Sequence, residues 1–147
     1  MKIISMLVLA LMVALGSSLR AGDPVLSMLD PYFRIQTALS DDKTDGVKAD
    51  ALAIKTAAAS LGDPGAKIVT AAETLSSAAD LAAARAAFSA LSDAVVAYSE
   101  QTKTAGEGVH TMFCPMANKQ WMQKGEKVAN PYYGKAMLTC GEKKKST

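Results

Sequence analysis

"DLAAARAAFSALSDAVVAYSEQ", residues 80–101, decides the fold. Leu81, Phe88, Leu91, Val95 and Tyr98 recur at steps of three, four and seven, which puts them on one face of a helix. Asp80 stands just before that pattern, where a carboxylate caps free backbone N–H groups. The alanines between the larger residues raise helix propensity and let neighbouring helices approach closely. Arg85, alone among alanines, reads as a snorkelling side chain or the partner of an acidic neighbour.

Upstream the same period repeats three times. "SMLDPYFRIQTALSDD", residues 27–42, aligns Leu29, Tyr32, Phe33, Gln36 and Leu39, with Pro31 expected in the first turn, where a missing N–H is tolerated. "TDGVKADALAIKTAAASLG", residues 44–62, aligns Val47, Ala51, Ile54, Ala58 and Leu61. Asp45 is the expected N-cap, and Gly62 with Pro64 marks the end. "GAKIVTAAETLSSAA", residues 65–79, turns Ile68, Ala72 and Leu75 inward. Four helices with short connections predict an all-α fold, an antiparallel four-helix bundle.

Downstream the composition changes. "TKTAGEGVH", residues 102–110, reads as a loop, "GVHTMFC", residues 108–114, alternates like a strand, and "NPYYG", residues 130–134, is turn chemistry. An irregular segment of short strands and turns is therefore expected to pack on the bundle. The organisation is a signal peptide at 1–21, a helical bundle at 22–101 and a Cys/Met-containing segment of the same domain at 102–147. The signal is read from Lys2, the apolar run Ile3 to Leu15 and the small residues of "GSSLRA"; the run is shorter than the ~20 residues of a membrane span. A periplasmic protein, with no membrane insertion of the mature chain, is the expectation.

The chain has 16 Lys+Arg and 14 Asp+Glu, and loss of Lys2 and Arg20 with the signal leaves 14 of each. No basic surface for nucleic acid is implied. Glu142 to Lys145 reads as a solvated tail. The single His110 has no serine–carboxylate arrangement or phosphate loop beside it, and no C-x-x-C is present, so no enzyme is expected.

The soft donors gather at the C-terminal end. In "HTMFCPM" His110, Met112, Cys114 and Met116 occupy alternate positions, and "GKAMLTCGE" adds Met137 and Cys140. Residues at every second strand position share a face, and thiolate and thioether donors favour Cu(I). The competing reading is a Cys114–Cys140 disulfide, the default for two cysteines in an oxidising compartment, with the methionines as packing. Trp121, Asn130 and Tyr132 are the expected shield over this end.

"YFRIQTALSDD", "ARAAFSALSDAVVAY", "CPMANKQW" and "NPYYGKAMLTCGE" together resemble an uncharacterised periplasmic domain. That domain is found alone or as an extra module on adaptor subunits of copper/silver-type heavy-metal efflux systems. The resemblance spans Leu26 to Glu142. It implies a soft-metal binding or buffering protein, holding Cu(I) or Ag(I) through Cys114, Met116, Met137 and Cys140 with His110 or Met112, near an efflux adaptor or other envelope protein. The alternative is a disulfide-stapled helical adaptor that binds an envelope partner without metal.

Overall fold

The computed structural model describes residues 24–145; the expected signal peptide, residues 1–21, lies outside them. Helix α1 spans Pro24–Ser40, α2 Val47–Ala59, α3 Ala66–Ser76 and α4 Leu81–Thr102, with a short 3-10 turn at Asp63–Gly65. The inward faces are those the spacing dictates: Leu29, Tyr32, Phe33, Gln36 and Leu39 on α1; Val47, Ala51, Ile54 and Ala58 on α2; Ile68, Ala72 and Leu75 on α3; Phe88, Leu91 and Val95 on α4. Leu61, Leu81 and Tyr98 are half-buried at the ends of these faces. Asp80 caps α4 by accepting the Ala83 N–H at 2.8 Å.

Two local expectations are corrected. Pro31 lies well inside α1, because Val25, Met28 and Leu29 bury a further turn ahead of it. That burial outweighs the lost backbone hydrogen bond at the proline. Residue Gly46, not Asp45, is the N-cap of α2, in a left-handed conformation with φ 76°, and no side chain caps the helix.

The all-α expectation is also corrected. Strands β1 (Val109–Cys114), β2 (Lys119–Lys124) and β3 (Glu142–Lys143) form one antiparallel sheet in the order β2-β1-β3. Met112 lies opposite Trp121, Cys114 opposite Lys119, and Met112 and Phe113 opposite Lys143 and Glu142. The helices pack chiefly in chain order, α1 on α2, α2 on α3 and α3 on α4, while the backbones of α1 and α4 approach at few points and meet mainly through the Tyr32 side chain. Strand β2 lies against both of them. The sheet thus covers the side that the helices leave open, and Met112, Cys114, Trp121, Met122 and Tyr132 join the helical residues in one core.

The outward edge of β2 is closed by tyrosines. The Met122 N–H donates to the Tyr32 hydroxyl of α1 at 3.0 Å, and the Tyr132 hydroxyl donates to the Gln120 carbonyl. Tyr32 also bonds Ser92 of α4 at 2.6 Å. Backbone groups of an edge strand, which otherwise invite another chain, are here satisfied from within. Burial pushes both tyrosine hydroxyls far above the ordinary phenol value, so they remain neutral. Rings continue the contact: Tyr32 stacks on Phe88 at 5.2 Å, and Tyr132 meets Phe88 and Trp121 at 6.0 Å each.

Candidate functional site

The segment after β2 carries Cys140 back to the sheet, and buried polar side chains hold it there. Gln123, 2% exposed, accepts the Ala129 N–H and donates to the Gly125 and Lys127 carbonyls. From α1, Gln36 and Ser40 donate to the Ala129 carbonyl at 2.7 and 3.0 Å. From α4, Arg85 donates to the carbonyls of Pro131 and Leu39 and pairs with Asp42 at 2.6 Å. The lone arginine among alanines is therefore a clamp between α4, the end of α1 and the segment. Its guanidinium holds the Asp42 carboxyl below the ordinary carboxylate value.

Gly134 sits under that clamp with φ 56°, and a Cβ there would lie about 2.0 Å from Asp42 Oδ1. Gly141 is equally constrained: a Cβ would lie 2.7 Å from the Trp121 ring. Both positions need glycine for space as well as for backbone conformation. Asn130, fully buried, then sets the loop that ends in Cys140. Its Oδ1 accepts the N–H groups of Tyr132 and Tyr133, and its Nδ2 donates to the Cys140 carbonyl at 2.6 Å.

These anchors bring Cys114 Sγ and Cys140 Sγ to 2.9 Å, with both thiols free. Cys114 ends β1 and is fully buried; Cys140 is partly exposed. The Ala117 N–H, from the β1–β2 turn, points at Cys114 Sγ from 3.4 Å. Burial pushes the Cys114 thiol up, but hydrogen bonds from Cys140, from the N–H groups of Ala117 and Met116 and from Asn130 outweigh it and hold it below the ordinary value. The Cys140 thiol is raised, first because it donates to Cys114 and then by burial and by the charge on Cys114. Of the two thiols Cys114 is therefore the more acidic and Cys140 the less.

The other proposed donors scatter. Met112 is 1% exposed on the same face of β1 as Cys114, one pleat or ~7 Å back. His110 is two pleats back, ~14 Å along the strand, half-buried and opposite Gln123. Met116 is 65% exposed in the β1–β2 turn, although its backbone N–H reaches both sulfurs. Met137 ends a 3-10 turn at Gly134–Met137 and is half-buried, its carbonyl accepting the Cys140 N–H. Among the described residues no three His, Cys, Asp or Glu side chains form a group able to hold a metal ion. Trp121 and Tyr132, the expected shield, are both buried and meet edge to face at 6.0 Å, with the Trp121 N–H donating to Gln123.

The anchoring residues left uneven traces in the sequence. Gln36 stands on the apolar stripe of α1, a placement that signals a buried amide with a distant partner. Ser40 and Gln123 carry no such signal, because their partner is a carbonyl or N–H of Ala129 that no local pattern predicts.

The family model for a protein of unknown function, DUF3347, matches residues 28–107, just over half of the chain. The chain belongs to this family. No curated protein and no solved structure matches it. The DUF3347 match takes in the four helices and stops ahead of β1, so the thiol pair lies outside the matched residues while Tyr32, Gln36, Ser40 and Arg85, which position it, lie inside.

Proposed function

We propose that this DUF3347 protein is an exported, periplasmic binder or buffer of a soft monovalent ion, Cu(I) or Ag(I), working beside a heavy-metal efflux adaptor. The observation that carries the reading is the meeting of Cys114 and Cys140, one of them held towards thiolate, with the Met112 thioether behind it on the same strand face. Two thiols and a thioether are soft donors, and such sets favour Cu(I) over hard or borderline ions. Cys114 and Cys140 would hold the ion and Met112 would complete the set. Met116, exposed on the turn, and Met137 would meet an ion on its way in or out, while His110 stands too far along β1 to share it with Cys114.

Titrating the reduced protein with Cu(I) against a chromophoric chelator tests the reading. One equivalent withheld from the chelator by the wild type, and lost in Cys114→Ser, is the expected result. Failure of the wild type to compete would discard the metal.

A second reading rests on one distance. Thiolates sharing a tetrahedral ion through bonds of about 2.3 Å stand about 3.7 Å apart, farther than the 2.9 Å found. A permanent cross-link would make the protein a stapled helical adaptor for an envelope partner. Counting thiols in freshly exported protein separates the two: both reactive for the first, neither until reduction for the second.

A further inference from the structure

The two sulfurs of the pair are not equivalent, and that asymmetry has a chemical consequence independent of any ion. Cys114 Sγ belongs to a fully buried residue at the end of β1, behind the turn Pro115–Asn118. Cys140 lies on the partly exposed side, just before β3. The Ala117 N–H of that turn points at Cys114 Sγ from 3.4 Å and helps close it off from the outside. The segment carrying Cys140 is held by Gln36, Ser40, Arg85 and Gln123 through hydrogen bonds that involve neither sulfur, and by Asn130, whose Nδ2 donates to the Cys140 carbonyl. The bond between the two cysteines can therefore open and close without the segment leaving the sheet.

We propose that the pair is a directional thiol–disulfide exchange site, in which Cys140 meets the external partner and Cys114 is the internal sulfur. The partner class is a small or peptide-borne disulfide in one direction and a thiol in the other. In the oxidising direction the exposed Cys140 thiol loses its proton and, as the thiolate, attacks an external disulfide, forming a Cys140–S–R bond and releasing one RS⁻. The Cys114 thiolate then attacks Cys140 Sγ, the Cys140–S–R bond breaks, and the second RS⁻ leaves. The two protons given up by the cysteines end on the two released thiols. The protein loses two electrons, and the external disulfide gains them. In the reducing direction an external thiolate attacks the accessible Cys140 Sγ, the bond to Cys114 breaks, and Cys114 departs as the thiolate beside the Ala117 N–H.

Oxidised glutathione, added in excess to the reduced and metal-free protein, is the test. Cys114→Ser, which keeps Cys140, is expected to form a stable mixed disulfide with one glutathione. Cys140→Ser, which keeps only the buried thiol, is expected to react at least about tenfold more slowly. The wild type is expected to pass to the internal disulfide with two thiols released, and acid-quenched peptide maps should place any trapped glutathione on Cys140. Cys114→Ala and Cys140→Ala, checked for native circular dichroism, repeat the comparison should either serine variant fold poorly. Equal rates for the two single variants, or glutathione trapped on Cys114 in the wild type, would overturn the proposal. A wild type that binds no Cu(I) yet exchanges in this order leaves the proposal standing, so its fate is separate from that of the metal.

Discussion

At the scale of the residue, the thiol pair sets a buried sulfur against a partly exposed one 2.9 Å away, and the two differ in acidity. In the reduced protein Cys114 is held below the ordinary thiol value and Cys140 above it. The signs follow from linkage. Cys114 binds a proton less readily folded than unfolded, so the fold gains stability as pH rises from the folded Cys114 value to the ordinary thiol value of about 8.5. Cys140 does the opposite, and its contribution is lost as pH rises from about 8.5 through its raised folded value. Urea midpoints of the reduced wild type, less those of a Cys114→Ala Cys140→Ala double variant, should pass through a maximum near pH 8.5. A difference that is flat with pH would mean that the two sulfurs do not differ in acidity as described. The sequence made the meeting of the two cysteines legible, since an even pair at one end of a small chain read as exported is expected to pair. It also suggested that His110 shares their face, which is true of the pleat; the length of a strand then carries His110 out of reach.

At the scale of the element, the amphipathic faces of the four helices were legible because each is set by its own spacing, and packing merely accepts it. The caps were legible only where one side chain decides them: Asp80 does so, while Asp45 loses to the left-handed Gly46. The strands were visible as alternation in "GVHTMFC", but not the edge-capping of β2, which depends on tyrosines distant in sequence. Tyr32 is the informative one, since its hydroxyl accepts the Met122 N–H and bonds Ser92 at full burial. Tyr32→Phe keeps the ring and leaves a buried N–H and a buried hydroxyl without their partner. A buried group so orphaned costs about 1–3 kcal/mol. Tyr98→Phe, on a half-buried ring, should cost under about 0.5 kcal/mol. Denaturant unfolding of both variants reads the contrast, and similar losses would remove the tyrosine edge cap from the account.

At the scale of the whole molecule, the question is whether the sheet is an appendage to a self-sufficient bundle or a wall of it. The family match ends at residue 107, which invites the first view. The packing supports the second: the backbones of α1 and α4 stand apart, bridged by Tyr32 on Phe88 and Ser92, while β2 lies across both helices with its Met122 N–H on Tyr32 and the Tyr132 ring against Phe88. No single-sequence periodicity could show this, because an open side between the first and last helices looks the same as a closed one. Ending the chain after Gly108 would bare Tyr32 and Phe88, each fully buried in the intact fold. Exposing an apolar or aromatic side chain of that size forfeits about 1.5–3 kcal/mol. Loss of Trp121, Met122, Met112 and Tyr132 from the same core adds to it, against a total stability of roughly 5–15 kcal/mol for a domain. The truncated chain is expected to keep helical circular dichroism, bind a hydrophobic dye and lose its sharp thermal transition, whereas the intact chain melts in one step. A truncated chain that melts as cooperatively as the full one, with no dye binding, would make the helices an independent bundle and the sheet its passenger.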